Sequence, residues 1–182
     1  MKIYTKTGDN GTTGLYFGGR VPKDDAQIHA VGAIDEAQAA LGVARSLSHK
    51  TSELNSIIVS IQKDLWILMA EVGTKDENRH KLKPQESLVT SSMIQRLESM
   101  IDLTAEKFQM PNEFVIPGQT PIAASLDLAR TVIRRAERCC ISWNSNSNSL
   151  APIYLNRLSD LVWALARWQE GDFLFSRSKE NQ

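Results

Sequence analysis

From Leu54 to Val72 the apolar residues Leu54, Ile57, Ile58, Ile61, Leu65, Leu68, Met69 and Val72 follow the i, i+3, i+4, i+7 rule. A helix over about Ser52–Val72 therefore has one face that must be buried against other elements, and Gly73 is suited to stop it. The same period predicts four more helices. The first runs from about Asp24 to Leu47, with Ile28, Val31, Ile34, Leu41 and Ala44 inward and Asp24 or Asp25 as cap. The third spans about Ser91 to Phe108 and uses Ile94, Leu97, Ile101 and Phe108. The fourth begins at Thr120, a plausible cap followed by Pro121 at the first helical position, and reaches about Trp143. The fifth runs from about Pro152 to Gln169, with Leu155, Leu158, Leu161, Val162, Leu165 and Trp168 apolar. Five amphipathic helices with few strand signals point to an all-α five-helix bundle in a single domain of 182 residues.

The remaining stretches read as connections. Residues 1–24 are rich in Gly and Thr and show no helical period, so an irregular segment with short extended pieces is expected. Residues 74–87 read as a long surface loop, Pro111–Gln119 as a second loop, and Asn144–Ser149 as a low-complexity polar linker. The tail from Ser176 to Gln182 is polar and is expected to fray. The whole divides into an arm over 1–24, a bundle over 25–170 and a tail over 171–182.

The helix-four run from Arg130 to Arg138 carries the most chemistry. Arg130, Arg134 and Arg138 are spaced i, i+4, i+8 and stack on one face, amid apolar Leu126, Ala129, Val132, Ile133 and Ala136. Three like charges call for an anion opposite them, either carboxylates of a neighbouring helix or a polyphosphate; the plainer alternative is a solvated face. Lys and Arg together number 21 and so do Asp and Glu, so a nucleic-acid backbone is a poorer fit than a small anion. In the N-terminal segment, Thr5-Lys6-Thr7-Gly8-Asp9-Asn10-Gly11-Thr12-Thr13-Gly14 combines glycines, hydroxyls and lysine, which is phosphate-binding chemistry, though no Gly-Lys-Ser/Thr ends it as in a P-loop.

Asp35, offset by four and seven residues from Val31 and Ile28, is placed inward, facing the helix-four arginines either as a core ion pair or as part of a site. Asn156, beside Arg157 and Asp160, is either a local hydrogen-bonder or an amide that reaches a ligand. His29, His49 and His80 are scattered and read as surface residues, with no protein metal site expected. The tryptophans Trp66, Trp143, Trp163 and Trp168 read as core or interface packing. Cys139 and Cys140 are adjacent, point apart on a helix and read as buried thiols of a reducing cytoplasm. No apolar run reaches the roughly 20 residues that cross a membrane, and Met1–Lys6 lacks a signal-peptide core. No nucleophile with a neighbouring base stands out, so a reaction here would depend on binding, charge neutralisation and orientation.

Six motifs occur in order: Thr-Lys-Thr-Gly-Asp-x-Gly-x-Thr from Thr5, Pro22-Lys23-Asp24-Asp25, Val31-Gly32-x-x-Asp35-Glu36, Phe114-x-x-Pro117-Gly118, Ala129-Arg130-x-x-x-Arg134-Arg135-Ala136-Glu137-Arg138, and Tyr154-Leu155-Asn156-Arg157-Leu158-Ser159-Asp160. Together they resemble the PduO-type ATP:cob(I)alamin adenosyltransferases over nearly the whole chain. Gln119 departs from the pattern, standing where the family often has a second glycine, and Ala37-Gln38 replaces the usual Leu-Asn.

The resemblance implies a homotrimer with active sites between subunits. It also implies a reaction in which cob(I)alamin attacks the ribose 5′ carbon of ATP, giving adenosylcobalamin and triphosphate. Thr5, Lys6, Thr7, Gly8, Thr13 and Gly14 would wrap the nucleotide. Lys23, Arg134, Arg135 and Arg138 would meet the phosphates with Mg²⁺ as counter-ion, and Glu137 and Asn156 would help hold the nucleotide. Asp35 and Arg130 would organise the corrinoid side, and Phe114 would displace the lower axial ligand. A reductase and an adenosylcobalamin-dependent acceptor enzyme are the implied partners. The rival expectation is a non-catalytic ATP-binding helical regulator or partner-binding oligomer.

Overall fold

The computed structural model describes residues 2–143 and 148–177. A two-stranded antiparallel hairpin, β1 (Thr12–Gly14) and β2 (Arg20–Pro22), precedes five helices: α1 (Ala26–Ser46), α2 (Glu53–Val72), α3 (Ser91–Ala105), α4 (Pro121–Trp143) and α5 (Ala151–Glu170). The caps explain the starts. The Asp25 carboxylate accepts from the Gln27 N–H at 2.8 Å, the Ser52 hydroxyl from Asn55 N–H at 3.1 Å, and the Thr120 hydroxyl from Ala123 N–H at 3.2 Å. Gly73 is the C-cap of α2, where a Cβ would stand 2.8 Å from the Met69 carbonyl oxygen, so a side chain there would force a shift.

The helices alternate in direction. Gln27 donates to the Val72 carbonyl at 2.7 Å and Gln62 to the Gln38 carbonyl at 3.2 Å, which sets α1 antiparallel to α2. Glu36 pairs with Arg135 across α1 and α4, and Asp127 with Arg167 across α4 and α5. In turn α5 packs on α3, and ion pairs from Arg96 to Asp64 and from Lys107 to Glu53 join α3 to α2. The core sits on α5, where Tyr154, Leu155, Leu158, Leu161, Val162 and Leu165 have no exposed surface. Each such apolar side chain contributes about 1.5–3 kcal/mol of burial. The Tyr154 hydroxyl donates to Asp64 at 2.7 Å, so the one polar atom of that side chain is satisfied. Burial, and then the Asp64 carboxylate, push the Tyr154 phenol well above its ordinary range.

Four expectations need correction. Helix α3 ends at Ala105, not near Phe108, and Phe108 instead packs edge-on against Trp163 and Phe173. Residues 74–87 are not a free loop: a 3₁₀ helix at Asp76–Lys81 is tied to α2, where fully buried Glu71 accepts from Arg79 at 2.8 Å and from the Val89 N–H at 2.7 Å. Trp66 is 63 % exposed, so it is not core, while Trp143, Trp163 and Trp168 are half-buried. Ser176 is not frayed, because its N–H donates to the Phe114 carbonyl at 2.9 Å. Most of the predicted polar linker, 144–147, and residues 178–182 of the tail lie outside the described residues.

Candidate functional site

The arginine stripe of α4 ends in different surroundings residue by residue. Ala129, Val132, Ile133 and Ala136 face the core and fix the helix's rotation. Each step of four residues turns a helix a further 40° or so, so an i, i+4, i+8 stripe winds outward. Arg130 is half-buried and its Nε donates to Asp127 at 3.0 Å. Arg134 and Arg138 are exposed, and their guanidiniums form no ion pair or hydrogen bond among the described residues. Arg135 is held by Glu36. The stripe's anion is therefore not a carboxylate of α1. Asp35 is exposed, not inward, and the α1–α4 ion pair falls on Glu36 instead.

Beside this face Asn156 donates from Nδ2 to Glu137 at 3.0 Å, joining α5 to α4. Arg157 fixes the same amide from the other side, donating to the Asn156 carbonyl oxygen at 3.3 Å while its Nε donates to Glu98 at 2.9 Å. Glu137 and Asn156, both expected at the nucleotide, are thus brought together in one chain.

The arm is ordered by a residue the sequence reading passed over. Arg20 donates to the Thr7 carbonyl at 2.6 Å, to the Thr12 carbonyl at 3.1 Å and to the Thr12 hydroxyl at 2.8 Å. It folds Thr7–Thr12 over the hairpin, in which Thr13 lies opposite Val21 and Gly14 opposite Arg20. Its role follows from the hairpin register, Thr13 opposite Val21, which the sequence alone does not fix. Thr5 and Thr7 share a hydroxyl hydrogen bond at 2.9 Å, and Lys6 has a positive φ of 60°. The Lys23 side chain packs against Gly8, where an added Cβ would meet its Cε at 3.2 Å. Thr5 and Thr7, and Gly8 and Lys23, are thus joined in pairs, and Arg20 ties the Thr7 end to the hairpin that carries Thr13 and Gly14. The Tyr16 N–H donates to the Gly73 carbonyl at 2.9 Å and anchors the arm to the end of α2. Gln27 and Trp143 line one cleft with Thr74, Lys75, Asp76 and Glu77, so the Arg138 end of α4 is the end from which the arm departs.

At the opposite end of the stripe lies a cavity of about 590 Å³, lined by Phe114, Pro117, Asp127, Arg130, Trp163 and Arg167 among others. Phe114 is 84 % exposed. Its loop is held by the segment after α5: Ile116 N–H donates to the Leu174 carbonyl at 2.7 Å, and Val115 bridges antiparallel to Phe175. Gly118 supplies the φ of 123° that ends the loop. Along a helix rising 1.5 Å per residue, Arg134 and Arg138 stand about 6 and 12 Å beyond Arg130. One helix thus runs from a cavity lined by Phe114 and Trp163, past two guanidiniums without a partner among the described residues, toward the donor-rich arm.

Comparison with known proteins gives this geometry a context. The sequence profile described as cobalamin adenosyltransferase matches residues 3–169. The corrinoid adenosyltransferase of Mycobacterium tuberculosis is 39 % identical over 180 residues, covering 96 % of this chain and 92 % of that protein. The corrinoid adenosyltransferase PduO of Salmonella typhimurium is 35 % identical over 178 residues, covering 94 % of this chain and 51 % of that longer protein. In structure the fold is similar to a variant PduO-type ATP:corrinoid adenosyltransferase from Lactobacillus reuteri complexed with cobalamin and ATP. The TM-score is 0.87 at 30 % identity, over 97 % of this chain and 100 % of that one. A second variant of the Lactobacillus reuteri protein, complexed with ATP, matches with a TM-score of 0.86 at 29 % identity, over 96 % and 100 %.

Proposed function

The chain belongs to the cobalamin adenosyltransferase family, and we propose from that premise how its residues divide the reaction. The enzyme transfers the 5′-deoxyadenosyl group of ATP to cobalamin. In the proposed mechanism cob(I)alamin attacks the ribose 5′ carbon, a Co–C bond forms, the C–O bond to the phosphate chain breaks, and triphosphate leaves with the electron pair. Reduced cobalt is the nucleophile, so the protein supplies no base. What it supplies is orientation and positive charge where the leaving group builds negative charge.

The observation that carries this assignment is the pair of guanidiniums, Arg134 and Arg138, that have no partner among the described residues, on the helix that also carries Arg130 into the Phe114 cavity. Arg134, Arg135, Arg138 and Lys23 take the phosphates. The backbone and hydroxyls of Thr5, Lys6, Thr7, Gly8, Thr13 and Gly14 wrap the nucleotide, and the Glu137–Asn156 pair holds it. Arg130 and Phe114 face the corrinoid, with Phe114 displacing the lower axial ligand. Loss of that ligand makes four-coordinate Co(II) easier to reduce. Asp35 is exposed on α1 while Arg130 is engaged by Asp127, so its corrinoid-side role is exercised toward a neighbouring copy.

Magnesium enters with ATP in this reading. Among the described residues no group of three His, Cys, Asp or Glu side chains converges to hold a metal, and Mg²⁺ is readily held by phosphate oxygens and water. A homotrimer, a cytoplasmic setting that suits the two free thiols, a reductase and an adenosylcobalamin-dependent acceptor enzyme complete the proposal. So does a single domain with an arm over 1–24, a bundle over 25–170 and a tail over 171–182. A non-catalytic ATP-binding regulator or partner-binding oligomer is not favoured, since the relatives that match at full length are adenosyltransferases.

The test is Arg134→Ala under anaerobic steady-state conditions with excess cob(I)alamin. A hydrogen-bonded charge contact to phosphate is worth roughly 1.5–3 kcal/mol, so kcat/KM for ATP should fall about 10- to 150-fold. Unchanged ATP kinetics would remove Arg134 from the phosphate site.

A further inference from the structure

We propose that Asp127 is the positioning residue that aims Arg130 into the cavity lined by Phe114, as a link of the ion chain Arg130–Asp127–Arg167–Glu170, which is buried from Asp127 inward. The proposal rests on the assignment of Arg130 to the corrinoid side.

Asp127 is 4 % exposed and uses both carboxylate oxygens on guanidiniums. Oδ1 accepts from Arg130 Nε at 3.0 Å, one turn along α4, and Oδ2 accepts from Arg167 Nη2 on α5. Arg167 is itself 2 % exposed and lies 2.9 Å from Glu170 Oε2, with Glu170's side chain fully buried. The guanidinium of Arg167 also stands 5.8 Å from the Trp163 ring centroid, and Trp163 lines the same cavity. Only Nε of Arg130 is engaged among the described residues, so its terminal nitrogens are left for a ligand.

Burying the charges of Asp127, Arg167 and Glu170 is a poor way to gain stability, because desolvation offsets most of the attraction and apolar residues of like volume do as well or better. Glu170 shows this: among the described residues neither of its carboxylate oxygens has a hydrogen-bonding partner, and Arg167 Nε has none. The chain does constrain direction. An arginine has many rotamers, and anchoring it through Nε removes most of that freedom before a ligand arrives. What remains is a fixed fork suited to carbonyl oxygens, which the amide-bearing rim of a corrinoid presents. Asp127 also couples the fork to α5, the helix that leads into the segment holding the Phe114 loop. Its two oxygens thus tie the cavity's arginine to the element behind its Phe114 loop.

The experiment is a double-mutant cycle on the full-length enzyme, with chemically reduced cob(I)alamin and ATP varied separately. Asp127→Asn should raise the corrinoid KM roughly 10-fold and leave the ATP KM unchanged. Arg130→Ala should raise it at least as much, and the double variant should be no worse than Arg130→Ala alone, because the first residue acts through the second. Equal multiplicative losses in the two backgrounds, or an unchanged corrinoid KM in a folded Asp127→Asn protein, would overturn the proposal. If Asp127→Asn does not fold, Glu170→Gln leaves the Asp127 carboxylate in place and loosens only the far end of the chain. A smaller rise that vanishes in the Arg130→Ala background supports the proposal, and a rise that persists there, or no rise, contradicts it. An unchanged corrinoid KM in Arg130→Ala would overturn the corrinoid-side assignment and the proposal with it. A raised KM there with Asp127→Asn silent would overturn the proposal alone.

Discussion

Arg130, Arg134 and Arg138 carry one charge type on one helix, yet one is braced by Asp127 and two are free among the described residues. Spacing set them on a common stripe. It could not say which carboxylates would answer them, because that depends on the rotation of α1 and α5 against α4. Hence Asp35 was placed inward from its offsets to Val31 and Ile28, while the fold turns Glu36 to Arg135 and gives Arg130 to Asp127, a residue the sequence did not single out. Phe114 was legible only through the motif it shares with a family, since an exposed loop phenylalanine has no periodic signature. Its role is separable by assay. Phe114→Ala should slow turnover more when Co(II) must be reduced on the enzyme than when cob(I)alamin is supplied, and equal losses in both assays would contradict that role. The paired cysteines offer a second check. Burial first, then the nearby Cys139, Glu71 and Glu137 groups, push the Cys140 thiol up to about 12. The reactive species is the thiolate, so near pH 8 this thiol stays protonated and inert. A native thiol titration at that pH should count at most one group, with the second released by denaturant; two in the native protein would contradict the burial of Cys140.

At the scale of elements, the helices were legible because period and caps agree: Asp25, Ser52 and Thr120 cap where a cap was expected or needed. The segment between α2 and α3 was not. Its polar composition reads as loop, and the group that anchors it, Glu71, lies on α2 among apolar neighbours. Glu71 accepts from Arg79 and from the Val89 N–H and has no exposed surface. Glu71→Ala leaves a guanidinium and a backbone donor without their partner. A loss of about 3 kcal/mol is expected, lowering Tm by roughly 6–12 °C for a chain of this size. A shift of under 2 °C or so in a thermal melt would show that the anchor contributes little to stability. The extended contact between Val115 and Phe175 was equally hidden, since single bridges lack the alternation that marks a strand.

The whole molecule presents its proposed chemistry on an outer face. The hairpin, Arg134, Arg138 and exposed Asp35 are all at the surface of one copy, and exposed apolar residues Leu128 and Ile141 flank the stripe on α4. Surface of that kind, with a site that needs water excluded, calls for a second copy against it. On the proposed homotrimer, light scattering should give three times the 20.3 kDa of the chain, and a monomer at working concentration would contradict the intersubunit site. The bundle was readable from five amphipathic periods; assembly was not, because an exposed leucine alone is ordinary. In the proposed mechanism one helix, α4, brings a corrinoid nucleophile and the triphosphate of ATP to each other. The most direct measurement is an anaerobic reaction of the purified protein with cob(I)alamin, ATP and Mg²⁺, following loss of the Co(I) absorbance and identifying the products. Adenosylcobalamin with intact triphosphate is the predicted result; ATP binding without a cobalt–carbon product, or release of diphosphate in place of triphosphate, would contradict it.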